Sequence, residues 1–290
     1  MRKKVIVVVG PTASGKSSYA VKLARSIGGE VVSADSRQVY KGLDVGTGKI
    51  TRKEMRGVPH HLLDVVSPKK VFTAHDFVER GQAAIESILN RGKTPIICGG
   101  TGFYIDALLG RMPLPNVPPN PALRARLEKK SASQLFAMLQ KIDSRRAKNI
   151  DRHNPVRLVR AIEIAKALGK VPTAKEQGDA SRFTARRRLA VTWIGLNPGD
   201  SVLRAKIHTR LLQRIKAGMV QEAKRLHAGG LSYKRMHELG LEYRYLALFL
   251  QKKISRREML QQLENRIWDY SKRQKMYWKR NQDIKWVGGR

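Results

Sequence analysis

The stretch Gly10-Pro11-Thr12-Ala13-Ser14-Gly15-Lys16-Ser17 matches the pattern G-x-x-x-x-G-K-[ST]. Glycines there let backbone amides turn inward around phosphate oxygens. Lys16 supplies a point charge, and the Ser17 hydroxyl is suited to ligating Mg²⁺. The expected diphosphate-binding set is Gly10, Thr12, Ala13, Ser14, Gly15, Lys16 and Ser17, with Ser17 as metal ligand and Mg²⁺ as cofactor. Such a pattern carries weight when a strand precedes it and a helix follows. Residues 5–9 are a continuous β-branched run, as in a strand covered on both faces, and residues 17–27 read as a helix closed by Gly28-Gly29. The start of that helix adds the positive end of its dipole to the loop.

A second chemical group follows. Asp35 ends the short apolar run "EVVSAD" and opens "DSRQVY". In a doubly wound sheet, the ends of the first and second strands share one rim. A carboxylate at that rim can orient a nucleophile or accept its proton. P-loop kinases of small metabolites also carry an acid there, and an Asx turn or helix cap is the purely structural alternative. An ATP-hydrolysing enzyme usually ends a later strand with a metal-holding acid. Here that strand ends "IICGGTG", with no carboxylate. A loop that only holds a diphosphate does not need one.

These groups need a scaffold. Residues 76–90 read as a helix, and "TPIICGG" as a third buried strand. Alternating strands and helices imply a parallel sheet with sites at the strand C-termini. "MPLPNVPPNPAL" then carries five prolines, Pro113, Pro115, Pro118, Pro119 and Pro121, and reads as a stiff hinge. A basic helical stretch covers residues 123–168. Its last part is capped by Asn154 with Pro155 in the first turn, and it ends at Gly169. Strand character returns near residues 189–196, and residues 200–283 are mostly helical. The expected fold is α/β: a P-loop NTPase-like doubly wound parallel sheet core with an inserted α-helical module. The core takes residues 1–115 and 187–290, and the module takes residues 116–186.

The charge balance points to a partner. Among 290 residues, Lys and Arg total 58 against 23 Asp and Glu, a net of +35. Basic side chains gain affinity for polyanions by releasing phosphate counterions, so a nucleic acid is expected. The only cysteine, Cys98, excludes a disulfide framework within the chain and a multi-cysteine zinc site; it reads as a small buried hydrophobe. No run approaches the roughly 20 apolar residues of a membrane span. Nothing resembles a signal peptide, so a cytoplasmic protein is expected.

Together, "GPTASGKS", "SADSRQVYKGLDVGTGK", "PHHLLD" and "GGTGFYIDALL" resemble successive motifs of the tRNA dimethylallyltransferases. The resemblance continues through "NPVRLVRAIEI" and "KRQKMYWKR", nearly the whole chain. It implies transfer of a dimethylallyl group from dimethylallyl diphosphate to the exocyclic amine of the adenosine just 3′ of a tRNA anticodon, with Mg²⁺ required and no nucleotide consumed. By the family pattern, Asp35 looks like the general base. Lys16, Thr101 and Arg210 complete the catalytic set, Arg210 lying eight residues before Gly218. Ser36, Arg37 and Gln38, with Asp35 and Thr101, would line the pocket for the target adenine, which must leave its stack to react. His60 and His61 read as structural loop residues near the site.

The tRNA anticodon stem-loop is the expected partner. Arg124 aligns with a family position that meets tRNA, and Arg157 and Arg160 are three apart on one helix face. Near the C-terminus, Lys272, Arg273, Lys279 and Arg280 interleave with Trp268, Tyr270, Tyr277 and Trp278, a pattern that holds unpaired bases. Gln274 and Trp278 are counted with this surface. Core packing of the aromatics is the structural alternative. The chain departs from the family at Leu239-Gly240-Leu241-Glu242-Tyr243, usually Val-Gly-Tyr-Arg, and at Met276 and Tyr277, usually Thr and Trp. A monomer suffices for this chemistry. The competing readings are a P-loop kinase of a small metabolite, an allyl transferase acting on free adenine nucleotides, and a nucleotide-gated RNA-binding protein without chemistry.

Overall fold

A computed structural model describes residues 3–173 and 189–288. The chain forms two compact units, Met1–Leu109 with Phe183–Arg290, and Gly110–Arg182. The expected boundary at 186/187 lies outside the described residues.

The larger unit is built on six parallel strands. They are β1 (Lys4–Val9), β2 (Gly29–Ser33), β3 (His60–His61), β4 (Thr94–Cys98), β5 (Ala190–Leu196) and β6 (Ile284–Val287), in the spatial order β3-β2-β4-β1-β5-β6. Buried apolar residues on both faces of β1 and β4 account for their uninterrupted apolar character. β1 is flanked by β4 and β5, so the chain leaves it in opposite directions and a crevice opens at its C-terminal end. The phosphate loop lies there and runs into helix α1 (Lys16–Ile27).

Two layers cover the sheet. On one face α1 packs Ala20, Val21 and Ala24 against Ile6, Val8 and Ile96. The other face buries α3 (Ala74–Asn90) and α4 (Gly102–Leu108), with Phe77 and Tyr104 stacked at 4.4 Å between ring centroids. A capping box of Thr73 with Asp76 starts α3 at Ala74, two residues before the sequence expectation. One short helix, α2 (Arg52–Met55), precedes β3.

The Gly110–Arg182 unit has its own core. The basic stretch expected as helical is four helices: α5 (Pro121–Leu127), α6 (Ala132–Ile142), α7 (Ser144–Ala147) and α8 (Pro155–Leu168). Side-chain caps at Asn120, Ser131, Asp143 and Asn154 divide it. Leu123, Leu127, Leu135, Leu139, Leu158 and Ile162 fill its centre.

After β5 come α9 (Asp200–Lys216), α10 (Met219–Ala228), α11 (Tyr233–Leu239), α12 (Leu241–Leu250) and the long α13 (Arg256–Trp278). Strand β6 then closes the sheet edge. It went unread in the sequence because "IKWV" is short and only Ile284 of it is buried. No helix among the described residues is long and apolar enough to cross a membrane.

His60 and His61 were expected in a loop near the phosphate loop. Instead they form edge strand β3, in register with Val31 and Val32. His61 Nε2 lies 2.7 Å from Glu30 Oε2, and neither histidine lines the cavity described below. Glu30 is 2% exposed and also accepts hydrogen bonds from Arg91 and Lys93. Burial would raise its pKa, but the bonds from Lys93, His61 and Arg91 outweigh burial and hold it at about 2. A depressed carboxyl pKa stabilises the fold above its ordinary value, near 4.5, and the contribution is lost as pH falls through about 2. Glu30→Gln is therefore expected to lower the denaturation midpoint at pH 7. In urea titrations across acid pH, the gap from the parent protein should close between those two values.

Candidate functional site

The phosphate loop takes a conformation open to few sequences. Gly10 sits at φ 149°, and a Cβ there would lie 2.4 Å from the Leu196 carbonyl oxygen at the end of β5. Ala13 at φ 62° and Gly15 at φ 94° turn the loop back onto the start of α1. The loop's amides then converge at a helix N-terminus, the arrangement that binds phosphates. The Ser14 hydroxyl is buried and has no hydrogen-bond partner among the described residues. Ser17 is exposed on the first turn of α1.

Lys16 folds back over this loop. Its ammonium donates to the Pro11 carbonyl oxygen at 2.6 Å, and among the described residues it forms no ion pair. Burial lowers its pKa to about 8, with Arg210 lowering it further and Cys98 and Asp35 opposing. Cys98 is free and buried at the end of β4, and burial pushes its thiol up to about 11, so it is not a thiolate near neutrality.

Asp35 follows β2 at the same rim. Its Oδ1 accepts from the amides of Arg37 at 2.8 Å and Gln38 at 3.3 Å, an Asx turn that fixes the carboxylate. Among the described residues Oδ2 has no hydrogen-bond partner. Thr101, at the start of α4, accepts from the Ser36 amide at 3.1 Å, and its own amide donates to the Ala34 carbonyl oxygen. Thr101 is also hydrogen-bonded to the side chain of Tyr270 on α13.

These elements enclose a cavity of about 220 Å³. Thr12 and Ala13 form its floor, and Asp35, Ser36 and Arg37 one side. Helix α9 contributes Ile207, Arg210 and Arg214, while Leu239, Leu241, Glu242, Ile267 and Tyr270 complete the wall with Thr47. Of the residues singled out in the sequence, Thr12, Ala13, Asp35, Ser36, Arg37 and Arg210 meet there. Lys16 and Thr101 adjoin it through the contacts above, and Gln38 contributes its amide to the Asx turn.

Arg210 and Arg214 stand one turn apart in sequence, and their surroundings separate them. Arg214 donates to Glu242 at 2.9 Å and to the Gly46 carbonyl oxygen at 2.8 Å. Arg210 makes no hydrogen bond or ion pair with any described residue. Its pKa is lowered by local desolvation and then by Arg214, while the residue keeps exposed surface in the cavity wall. Arg210 in the cavity wall and Lys16 beside it are thus cations with no anion bonded to either among the described residues.

Sequence reasoning missed Glu222. This carboxylate, 4% exposed, accepts from the amides of Asp44, Val45 and Gly46 and from the Tyr243 hydroxyl. It fastens the "LDVGTG" loop, which brings Thr47 to the cavity. Gly46 is required because a Cβ would lie 2.6 Å from the Tyr243 hydroxyl. The available signal was an isolated acid in the basic run "VQEAKRLH".

The expected RNA-facing set divides. Lys272 and Arg273 on α13, Lys279 and Arg280 just past its end, and Arg157 on α8 are exposed. Gln274 and Trp278 are not. Gln274 is 5% exposed with both ends of its amide bonded inside the protein, and Trp278 is 1% exposed and packed 5.9 Å from Trp193. Both belong with Ser271 to the inward face of α13, so they are not surface contacts. Arg124 and Arg160 both bond Glu163, a carboxylate 2% exposed. Burial would raise the Glu163 pKa, but Arg124, the Asn120 amide and Arg160 hold it at about 2. Arg124 thus ties α5 to α8, while Arg160, on α8 with Glu163, also bonds the Val117 carbonyl oxygen ahead of α5.

Comparison with known proteins adds an independent line. A family model described as IPP transferase matches residues 38–282. The chain is 43% identical to tRNA dimethylallyltransferase 2 of Treponema denticola, over 97% of this chain and 95% of that protein. It superposes on the tRNA isopentenylpyrophosphate transferase of Bacillus halodurans with a TM-score of 0.72 and 32% identity, covering 99% of this chain and 90% of that one. A eukaryotic dimethylallyltransferase acting on tRNA shares the fold, with a TM-score of 0.79 at 24% identity, over 99% of this chain and 74% of that one.

The contrast between the two arginines is testable by stability alone. Arg210→Met should shift unfolding free energy by less than about 0.5 kcal/mol. Arg214→Met should cost on the order of 2 kcal/mol, because Glu242 and the Gly46 carbonyl lose a charged donor. Chemical denaturation of the two variants distinguishes them; equal losses would contradict the assignment.

Proposed function

This chain belongs to the IPP transferase family, and on that premise we propose that it transfers a dimethylallyl group from dimethylallyl diphosphate to the exocyclic amine of the adenosine 3′ of a tRNA anticodon, releasing diphosphate. The observation that carries this reading is the cavity lined by Arg210, with Lys16 beside it and no anion bonded to either cation among the described residues, a fixed carboxylate, Asp35, and an apolar wall of Ile207, Leu239, Leu241 and Ile267. Cations call for the diphosphate, the apolar wall suits a five-carbon chain, and the carboxylate suits the acceptor's proton.

The amine nitrogen forms a bond to the terminal allylic carbon while the carbon–oxygen bond to diphosphate breaks and diphosphate leaves with the electron pair. Negative charge grows on the leaving group, where Lys16, Arg210 and the amides of Ala13, Gly15, Lys16 and Ser17 stabilise it. The amine's proton passes to Asp35, whose Oδ1 is held in the Asx turn and whose Oδ2 is open. Thr101 keeps the Asp35 turn in place through the Ser36 amide.

Among the described residues no group of three His, Cys, Asp or Glu could cage a metal. Mg²⁺ needs no such cage when substrate phosphates and water supply most of its ligands. The exposed Ser17 hydroxyl beside the loop fits that role as a hard oxygen donor. Bound there with the diphosphate, the ion would neutralise leaving-group charge.

Exposed Arg157 in the inserted unit, Lys272 and Arg273 on α13, and Lys279 and Arg280 just past its end are the candidates for phosphate contacts to the anticodon stem-loop. The target adenine has to leave its stack to reach Asp35. We place the reaction in the cytoplasm, carried out by a monomer.

The test is mass analysis of tRNA digested after incubation with the protein, Mg²⁺ and dimethylallyl diphosphate. Adenosine 3′ of the anticodon should gain a five-carbon group. Asp35→Asn should lower the rate by about 10²–10⁴-fold while still binding inorganic diphosphate. ATP turnover without any five-carbon addition would put a small-metabolite kinase in its place.

A further inference from the structure

The side chain of Gln274 does something its place in a basic, aromatic helix segment conceals. Its Oε1 accepts from the backbone amide of Thr12 at 2.7 Å, and its Nε2 donates to the carbonyl oxygen of Gly100 at 2.9 Å. One amide group thus joins the phosphate loop to the turn between β4 and α4. Among the described residues no other side chain bonds both segments. Residue 100 has to be glycine for this, since a Cβ there would lie 2.1 Å from Gln274 Nε2.

The bridge reaches further. Gly100 precedes Thr101, and Thr101 holds the Ser36 amide and so the Asp35 turn. The chain of contacts runs from Thr12 through Gln274, Gly100 and Thr101 to Ser36. The neighbours of Gln274 agree: Ser271 and Trp278 share its inward face and are buried, while Lys272 and Arg273 are exposed.

We propose that Gln274 is a positioning residue for the diphosphate: it presets the curvature of the phosphate loop and its distance from the Asp35 turn, and has no direct part in RNA contact. Because Thr12 N–H is committed to Gln274 and Ser14 N–H to the Pro11 carbonyl oxygen, the amides of Ala13, Gly15, Lys16 and Ser17 and the Lys16 ammonium are left for phosphate oxygens. Loop and acid are then in place before the donor arrives, which spares the ordering entropy that binding would otherwise cost. The inference rests on the reading of this loop as a diphosphate site.

The experiment measures inorganic diphosphate binding in Mg²⁺ by calorimetry, RNA binding to an anticodon stem-loop, and the separate KM values for dimethylallyl diphosphate and tRNA. Gln274→Ala and Gly100→Ala, which crowds the same bridge from the other side, should each weaken diphosphate binding and raise the donor KM by about tenfold. RNA affinity and the tRNA KM should stay within about twofold of the parent. Gln274→Glu supplies a readout that lost packing would not move. Ionised, its carboxylate faces the Gly100 carbonyl oxygen and repels the donor. Protonated, it is isosteric with the amide, accepting from Thr12 N–H and donating to Gly100. Its diphosphate affinity relative to the parent protein should therefore recover as pH falls. Taking the ratio at each pH removes the titration of Lys16, Asp35 and diphosphate itself. A pH-independent ratio, or Gln274→Ala with parent-like diphosphate affinity and weakened RNA binding, would overturn the proposal. A parent protein that binds no diphosphate would overturn the diphosphate reading of the loop instead.

Discussion

Lys16 sits over a cradle of backbone amides with its ammonium on a carbonyl oxygen and no carboxylate bonded to it. Burial has already lowered its pKa to about 8, so the charged form is held at a cost that the nearby Asp35 offsets only in part. Arg210 lines the adjoining cavity, also without a bonded anion among the described residues. Two partly desolvated cations beside converging amides and the start of a helix are stabilised when an anion with several oxygens arrives. Most of the surrounding architecture serves to keep that charge unsatisfied by the protein and available to a ligand.

The acids near the site illustrate this. Glu222 is spent on three amides and a tyrosine hydroxyl, and Glu242 on Arg214. Neither neutralises Lys16 or Arg210. Asp35 is held by two amides through one oxygen only, leaving the other for a proton. The glycines follow the same logic. Gly10, Gly46 and Gly100 each sit where a Cβ would strike, respectively, a strand carbonyl, the tyrosine that anchors Glu222, or the amide of Gln274.

Local pattern carried a large part of this into view. The phosphate loop, the buried strands and the acid at the second strand end follow from residue types within about ten positions of one another. What escaped was tertiary. Arg210 and Arg214 lie on one helix and look alike in sequence; only hydrogen bonds from distant loops tell them apart. Glu222 grips a loop 176 to 178 residues away. Gln274 and Trp278 were grouped with neighbouring charges by composition. The spacing of Ile267, Ser271, Gln274 and Trp278 carried the correct signal, one inward helix face. Edge strands β3 and β6 were too short and too polar to register as strands. Arg124 and Arg160 look like an RNA surface in a basic chain, yet a single buried acid, Glu163, draws both into packing.

The central claim is that the phosphate loop holds a leaving group and not a nucleotide to be hydrolysed. The direct measurement follows both possible products in one reaction containing tRNA, Mg²⁺, dimethylallyl diphosphate and ATP. The account predicts one diphosphate released for each five-carbon group placed on adenosine, with no inorganic phosphate derived from ATP. Phosphate accumulating from ATP in step with the modification, or diphosphate release far exceeding it, would contradict the account.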